Sequence, residues 1–460
     1  MAVTEQQMTK WCEMLLAGHE AAPNLSLADY IRGVPGMASL ADVPSGTPVL
    51  VRGDVDAKPG ANIGDGDIRL RSMVDTLKFG QERGWKQIVF GHIGRKPEGS
   101  LAKVAKRLGE TLKCDVMLIG DWLDESSLTI LPSAVQQVTA AKPGSIIMLE
   151  NTRKYAIEQV LWKAKAADVP KLAPQLTKLA NEFAEKLGKV FVFEAFSAGS
   201  LDACSVAVPA AMSKVALGEY VAAEFTGPLM RCLDSQLVVF SGLKADKLDD
   251  MEAMINRGKI TRVIAAGALS GALRKAAAQL DGKDCCLGIA EDPTKKDLPI
   301  YFPESRLEQA RKMIGEGRKK GIKFILPVDF VIQDGSVVDN LKPSDEQFDV
   351  GPKTSALFEE AVGEFLKLDG AVAFYNGVFG MFEDPRFEGG TKRFIPQLKR
   401  MTDNGVEVYV GGGEGGAALE KYGQEDWATH VFTAGGTVLN ALGSEPVPYM
   451  VALRAAAEKK

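Results

Sequence analysis

The sequence predicts an α/β protein built from two doubly wound parallel-sheet lobes joined by a central helix. Three observations predict it. Short apolar runs rich in β-branched residues alternate with segments whose apolar residues recur every three or four positions. The runs are continuously apolar rather than alternating, as strands of a parallel sheet covered on both faces should be. There are ten of them, many for one open sheet, and a chain of 460 residues has room for two or three domains.

In order, the runs are PVLVRGD (48–54), QIVFGH (87–92), IIMLEN (146–151), VFVFEAF (190–196), LVVFSG (237–242), RVIAAG (262–267), FILPVD (324–329), AVAFYNG (371–377), EVYVGGG (407–413) and HVFTAGG (430–436). Between them, SLAKVAKRLGETLK (100–113) and LAPQLTKLANEFAEKLG (172–188) carry helical periodicity. The segment 218–236 lies midway and reads as the connecting helix, interrupted at Gly227-Pro228. This sets an expected division into a helical extension (1–36), a first lobe (37–218 with the C-terminal 445–460) and a second lobe (219–444).

Composition narrows the function. With 55 Lys and Arg against 60 Asp and Glu, the net charge of −5 argues against a nucleic-acid surface, as does an aromatic content of only 7%. The three histidines cannot build a His-rich metal site, and the six scattered cysteines form no C-x-x-C pair. No stretch approaches the roughly 20 apolar residues of a membrane helix. The N-terminus, with Glu5 and Glu13, is a poor secretory signal. The expectation is a soluble cytoplasmic enzyme with no nucleic-acid or membrane partner.

Ligands of open parallel sheets bind beyond the carboxyl ends of the strands, and there the two halves differ. The first half places Arg52, Asp54, His92, Arg95, Glu150 and Arg153 at or just after strand ends, with Arg69 and Arg71 in the segment after the first strand. Clustered guanidiniums hold carboxylates or phosphates by paired hydrogen bonds. The second half ends its strands in glycine: Gly267, Gly377, Gly411 to Gly413 and Gly435-Gly436. Such turns let backbone amides and helix N-termini approach a polyphosphate. A basic half for an anionic substrate and a glycine half for a nucleotide is a two-substrate kinase layout. There is no G-x-x-x-x-G-K-[ST]. Gly411, Gly413 and Gly416 satisfy G-x-G-x-x-G, but no acid follows near 433, which argues against a dinucleotide enzyme.

The stretches VLVRGDVD, IRLRSMVDTLK, GHIGR, MLENTR, LPVDFV, DVGPKT, YNGVFGMFE, VGGGEGGAALEK and TAGGTVLNAL, in this order and spacing, resemble the phosphoglycerate kinase family from about residue 37 to the end. The resemblance implies two Rossmann-like lobes in a hinge-bending kinase, the last residues returning to the first lobe. It implies Mg²⁺-ATP/ADP on the second lobe and an anionic phosphoglycerate on the first, and the expected protein is a monomer that acts on small molecules. By the same resemblance Arg69 is the catalytic arginine and Asp54 meets the substrate hydroxyl. His92, Arg95 and Arg153 bind the distal phosphate, and Lys244 contacts the transferred phosphoryl. Lys247 is the second nucleotide-phosphate lysine, and Asn376 and Glu383 lie at triphosphate and ribose. Gly411, Gly412, Gly413, Gly435 and Gly436 are the phosphate and helix-start glycines, Gly412 and Gly435 among the catalytic set, with Thr433 and Gly267 beside the nucleotide and Glu414 at the metal.

The departures fall on both halves. Asp56 replaces the family's asparagine, a like charge beside an anionic ligand, and Gly199-Ser200-Leu201-Asp202-Ala203 replaces Ala-His-Arg-Ala-His, removing a phosphate-binding arginine. The lysine loop 241–247 is one residue shorter, Ala265-Ala266 replace two glycines, and Glu414 replaces the metal-associated aspartate. The expected function is reversible transfer of the ATP γ-phosphoryl to the carboxylate of 3-phosphoglycerate. A different phosphorylated or phosphonylated acid, and a non-catalytic nucleotide-binding relative, are the alternatives.

Overall fold

The apolar runs become the strands of two separate six-stranded parallel sheets, one in each of two units: Met1–Gly227 with Glu445–Lys460, and Pro228–Ser444. The computed structural model describes residues 2–21, 25–242, 247–368, 371–443 and 447–459.

Unit 1 carries β1 (Pro48–Gly53), β2 (Lys86–Phe90), β3 (Val116–Ile119), β4 (Ile146–Leu149), β5 (Val190–Glu194) and β6 (Lys214–Leu217), in the spatial order β3-β4-β2-β1-β5-β6. β1 pairs in parallel with β2 on one side and β5 on the other, so the winding reverses at β1. A reversal of this kind opens a crevice at the carboxyl ends of the flanking strands. Side chains such as Val49, Val51, Trp85, Val89 and Val192 fill one face of the sheet, each buried side chain stabilising the fold by roughly 1.5–3 kcal/mol. β3 and β6 were not anticipated. They lie at the sheet's two edges, where a strand of only four residues makes an apolar run too short to stand out.

Residues 1–36 belong to this unit. Helix α1 (Glu5–Ala17) begins in a reciprocal Thr4–Gln7 cap and buries Met8, Trp11, Cys12 and Leu15, while Trp11 donates its indole N–H to the Val206 carbonyl at 2.8 Å. The C-terminal helix Pro448–Glu458 also packs here, Tyr449 stacking on Phe193 with ring centroids 4.0 Å apart.

The midway segment is two helices, α2 (Glu219–Thr226) and Pro228–Cys232, broken at Gly227 because proline can only begin the second. The units therefore divide at Gly227 and Pro228, nine residues beyond the strand-based estimate of 218. Glu194, at the end of β5, caps α2: it accepts from the Tyr220 and Val221 amides at 2.9 and 3.1 Å and from Thr76 at 2.8 Å. Burial pushes this carboxyl up to about 7, against the lowering effect of those donors.

Unit 2 carries β7 (Leu237–Ser241), β8 (Arg262–Ala266), β9 (Lys323–Ile325), β10 (Val372–Asn376), β11 (Glu407–Gly411) and β12 (His430–Val431), in the order β9-β8-β7-β10-β11-β12. Its winding reverses between β7 and β10. A small antiparallel sheet, 330–350, is inserted after β9, so the run 324–329 yields a three-residue strand and a turn. Asp329 in that turn accepts from the Lys353 and Thr354 amides at 3.0 and 2.7 Å, capping the helix Pro352–Phe365.

Candidate active site

In unit 1, four segments bring charge to the carboxyl end of the sheet. β1 delivers Arg52, whose side chain is 1% exposed. Its Nε donates to Ser205 Oγ at 2.7 Å, Nη1 to the Gly53 carbonyl at 2.6 Å, and Nη2 lies 2.8 Å from His92 Nδ1. The turn after β4 delivers Arg153, which donates to the Gly94 carbonyl at 2.6 Å and lies over the ring of Trp162 at 4.6 Å. Its Nε is buried with no partner among the described residues.

Between these cations sits Asp202. Its carboxylate accepts from Arg153 Nη2 at 3.2 and 3.3 Å and from Trp162 Nε1 at 2.9 Å. It also lies 3.1 Å from His92 Nδ1 and 3.7 Å from Arg52 Nη2. Burial acts to raise its pKa, but His92 and the charges of Arg153 and Arg52 outweigh that and hold the carboxyl well below the usual range. His92 Nδ1 thus faces both a guanidinium, which can only donate, and a carboxylate. Burial, reinforced by Arg52 and Arg153, lowers the imidazole's pKa against the opposing pull of Asp202. The ring is neutral at neutral pH, and its Nδ1 can accept from Arg52 or donate to Asp202 but not both at once. Beneath them Glu158 accepts from the Cys204 amide at 2.8 Å and is pushed up to about 7 by burial and by Asp202.

The second charged group is Arg69. Its Nη1 donates to the Asp56 carbonyl at 2.9 Å and lies 3.3 Å from the Asp56 carboxylate, and its Nε is 3.9 Å from Asp54. Asp54 is fixed by Ser197, whose hydroxyl and amide donate to it at 2.6 and 3.1 Å. Asp56 also accepts from the Gly94 amide at 2.9 Å. The expected like-charge clash at Asp56 is thus resolved in the structure by a counter-ion: the carboxylate tethers Arg69 and the loop after β2.

Not every strand-end charge joins in. Arg95 is exposed, Glu150 caps the helix Ala102–Leu112 through Leu101 and Ser100, and Arg71 pairs with Asp67 away from the cluster.

In unit 2 the carboxyl ends of β7, β8, β10, β11 and β12 carry backbone instead. Helix α3 (Gly412–Tyr422) begins directly at the end of β11 and α4 (Gly435–Leu442) three residues after β12, and their first turns meet. A Cβ on Gly412 (φ +87°) would stand 2.9 Å from Gly435 Cα, and one on Gly435 would stand 3.0 Å from Asn376 Nδ2. Only glycine permits this approach, which leaves the first-turn N–H groups of two helices beside one carboxamide. Asn376 is itself held by the Gly411 carbonyl at 3.3 Å. Gly267 (φ +64°) serves the adjacent turn, where a Cβ would meet Ser241 Oγ at 2.7 Å. Lys247 donates to the Ser241 carbonyl at 2.8 Å. Gly413, Glu414 and Gly436 are exposed in the first turns of the two helices, Glu383 is exposed on its loop, and Thr433 is buried just before α4. Lys244 lies outside the described residues.

Asp202, Glu158, Trp162 and Arg52 carry much of the unit 1 cluster, yet only Arg52 stood out in the sequence. Asp202 was visible inside the divergent run 199–203, which reads as the loss of an arginine and conceals the gain of an acid.

Two parallel sheets that each reverse their winding, one ending in buried cations and the other in helix-start glycines, fit a phosphotransferase. Comparison with known proteins makes this specific. The chain matches the family model described as Phosphoglycerate kinase over residues 40–445, and it belongs to the phosphoglycerate kinase family. It is 29% identical over 420 residues to the phosphoglycerate kinase of Clostridium beijerinckii, covering 89% of this chain and 96% of that one. It is 27% identical over 424 residues to a cytosolic phosphoglycerate kinase of Triticum aestivum, covering 89% and 95%. In fold it is similar to the crystal structure of phosphoglycerate kinase from Pyrococcus horikoshii OT3, with TM-score 0.70 and 23% identity over 93% of this chain and 100% of that one. The Coxiella burnetii phosphoglycerate kinase structure gives 0.65 and 24%, with the same coverage.

Proposed function

We propose that the chain transfers the γ-phosphoryl of ATP reversibly to the carboxylate of a small hydroxy acid, giving an acyl phosphate and ADP, with 3-phosphoglycerate as the family's reference acceptor. The observation that carries this reading is the meeting of Gly412, Gly435 and Asn376 at the starts of two helices, a seat for a polyphosphate within a chain that also holds Arg69 between two carboxylates.

A carboxylate is already a nucleophile at neutral pH, so the reaction needs no general base. One carboxylate oxygen attacks the γ-phosphorus, the bond to the β,γ-bridging oxygen breaks, and ADP leaves with that electron pair. The protein's part is positioning and charge: Arg69 and Lys244 over the moving phosphoryl, first-turn amides of α3 and α4 on the oxygens, Asp54 on the acid's hydroxyl, and Arg153, His92 and Arg95 toward its far end. Lys247, Thr433, Gly267, Glu383 and the glycines Gly411, Gly413 and Gly436 serve the nucleotide. The acid is assigned to unit 1 and the nucleotide to unit 2, so both must act on one phosphoryl with water excluded.

Mg²⁺ fits Glu414. The ion takes one or two carboxylates and fills its remaining positions with water and nucleotide phosphate, and Glu414 stands exposed in the first turn of α3, one residue from Gly413. When bound it would neutralise charge on the phosphates. Among the described residues no cluster of three metal-ligating side chains offers an alternative. We read the chain as a monomer of the cytosol. Support for the compartment is the cytosolic wheat relative, and no helix among the described residues is long and apolar enough to cross a membrane.

The test is ATP turnover with hydroxylamine trapping of the acyl phosphate, using 3-phosphoglycerate and a panel of other acids. Turnover in the range of roughly 1–100 per second with any of them is the expected result; ATP binding with no trapped product would reduce the chain to a nucleotide-binding relative. A different acid from 3-phosphoglycerate is a second reading, and Asp202 is the observation that favours it.

A further inference from the structure

Arg52 and Arg153 of unit 1 already face an anion. Asp202 is fully buried and already receives Arg153, Trp162 and the charge of Arg52, and it lies against His92. Two guanidiniums and an indole N–H around one carboxylate are what a bound oxyanion would need, and here the chain supplies the anion itself. The charge balance is correspondingly small. With His92 neutral, two guanidiniums face one carboxylate, leaving about one positive charge to share with Glu158 beneath. A phosphate carries between −1.5 and −2 at neutral pH, and bringing it here sets it against Asp202 in a water-poor site where like charges repel strongly. Leu201, half-buried next to Asp202, brings no compensating cation.

We propose that Asp202 is a specificity-determining residue that provides this pocket with a resident anion, shifting acceptor preference from an acid with a distal phosphate dianion to one whose far end is uncharged or singly charged. This rests on the reading that the cluster faces the far end of the acid.

The experiment compares binding of 3-phosphoglycerate, malate (a single distal charge) and glycerate (none) to the full chain by titration calorimetry, in wild type, Asp202→Asn and Leu201→Arg. Wild type should bind 3-phosphoglycerate no more than tenfold tighter than malate. Both variants should strengthen 3-phosphoglycerate binding at least tenfold while changing malate and glycerate less than threefold. Asp202→Asn removes a buried counter-ion and can unfold, whereas Leu201→Arg adds a cation at a half-buried position and leaves the cluster intact, so it decides the matter if the first variant is lost. The proposal is overturned if wild type prefers 3-phosphoglycerate by much more than tenfold, or if Leu201→Arg leaves the affinity for 3-phosphoglycerate unchanged relative to malate and glycerate. A merely structural Asp202 would weaken all three acids together. Trapping of acyl phosphate in parallel separates the two levels: no trapped product with any acid defeats the carboxylate-kinase reading, while the order of affinities still decides the role of Asp202.

Discussion

At the carboxyl ends of their sheets the two units gather positive character by opposite means. Unit 1 uses side chains: Arg52, Arg69 and Arg153 arrive from separate segments, and each has a carboxylate of the same unit within 4 Å. Unit 2 uses backbone: two helix starts and an asparagine brought together by the absence of side chains at Gly412 and Gly435. Charge held this way is easily rewritten, because one substitution such as Asp202 or Asp56 changes the balance of a whole cluster. A turn of backbone amides offers no side chain to exchange, and its chemistry changes only if the turn is deformed. The difference suits their proposed tasks, a variable acid on one side and an invariant polyphosphate on the other.

The largest test of this division is Arg69→Ala. It should lower the rate of transfer by a thousandfold or more, the scale set by other phosphoryl-transfer arginines, while ATP affinity measured by calorimetry changes less than twofold. A collapse of ATP affinity would show that the units do not divide the work. The complementary change, Gly412→Ala, places a methyl 2.9 Å from Gly435 Cα at a positive φ. ATP binding should weaken by about a hundredfold, roughly 3 kcal/mol, with the acid's affinity untouched.

Stability should also follow pH. Glu194 has its pKa raised by burial to about 7, so the folded state holds a proton that the unfolded chain releases near pH 4.5. Its contribution is fully present below pH 4.5 and is lost as pH rises through 7, an effect of about 3 kcal/mol. Denaturant unfolding between pH 5 and 8 should show this decline, and Glu194→Gln should flatten it; an unchanged slope would mean the carboxyl titrates normally. The smallest effect is expected at Arg95, which is exposed. Arg95→Ala should raise the acid's KM only a few-fold, more at low salt, with unfolding free energy within about 0.5 kcal/mol of wild type.

Much of the fold was legible in the sequence because a strand buried on both faces must be apolar throughout, and eight of the ten runs became such strands. The edge strands Val116–Ile119 and Lys214–Leu217 escaped because each is only four residues long. At the site, residue types at strand ends were legible, as Arg52, Asp54, Asn376 and the glycines attest. Which of them meet was not. Arg95 sits one residue from Gly94 in the same loop as His92 yet stays in solvent, whereas Asp202, a hundred positions further on, lies among the cations.

What the sequence determined by itself was the class of each half: parallel strands from their apolar continuity, a charged end and a glycine end from local residue types, and a break at Gly227-Pro228 from proline's missing N–H. The tertiary structure alone decided the balance of charge. Residues 52, 92, 153 and 202 come together only through parallel pairing of β1 with β2 and β5 and the turn after β4, and Coulomb energy depends on distance in space, which no spacing along the chain records.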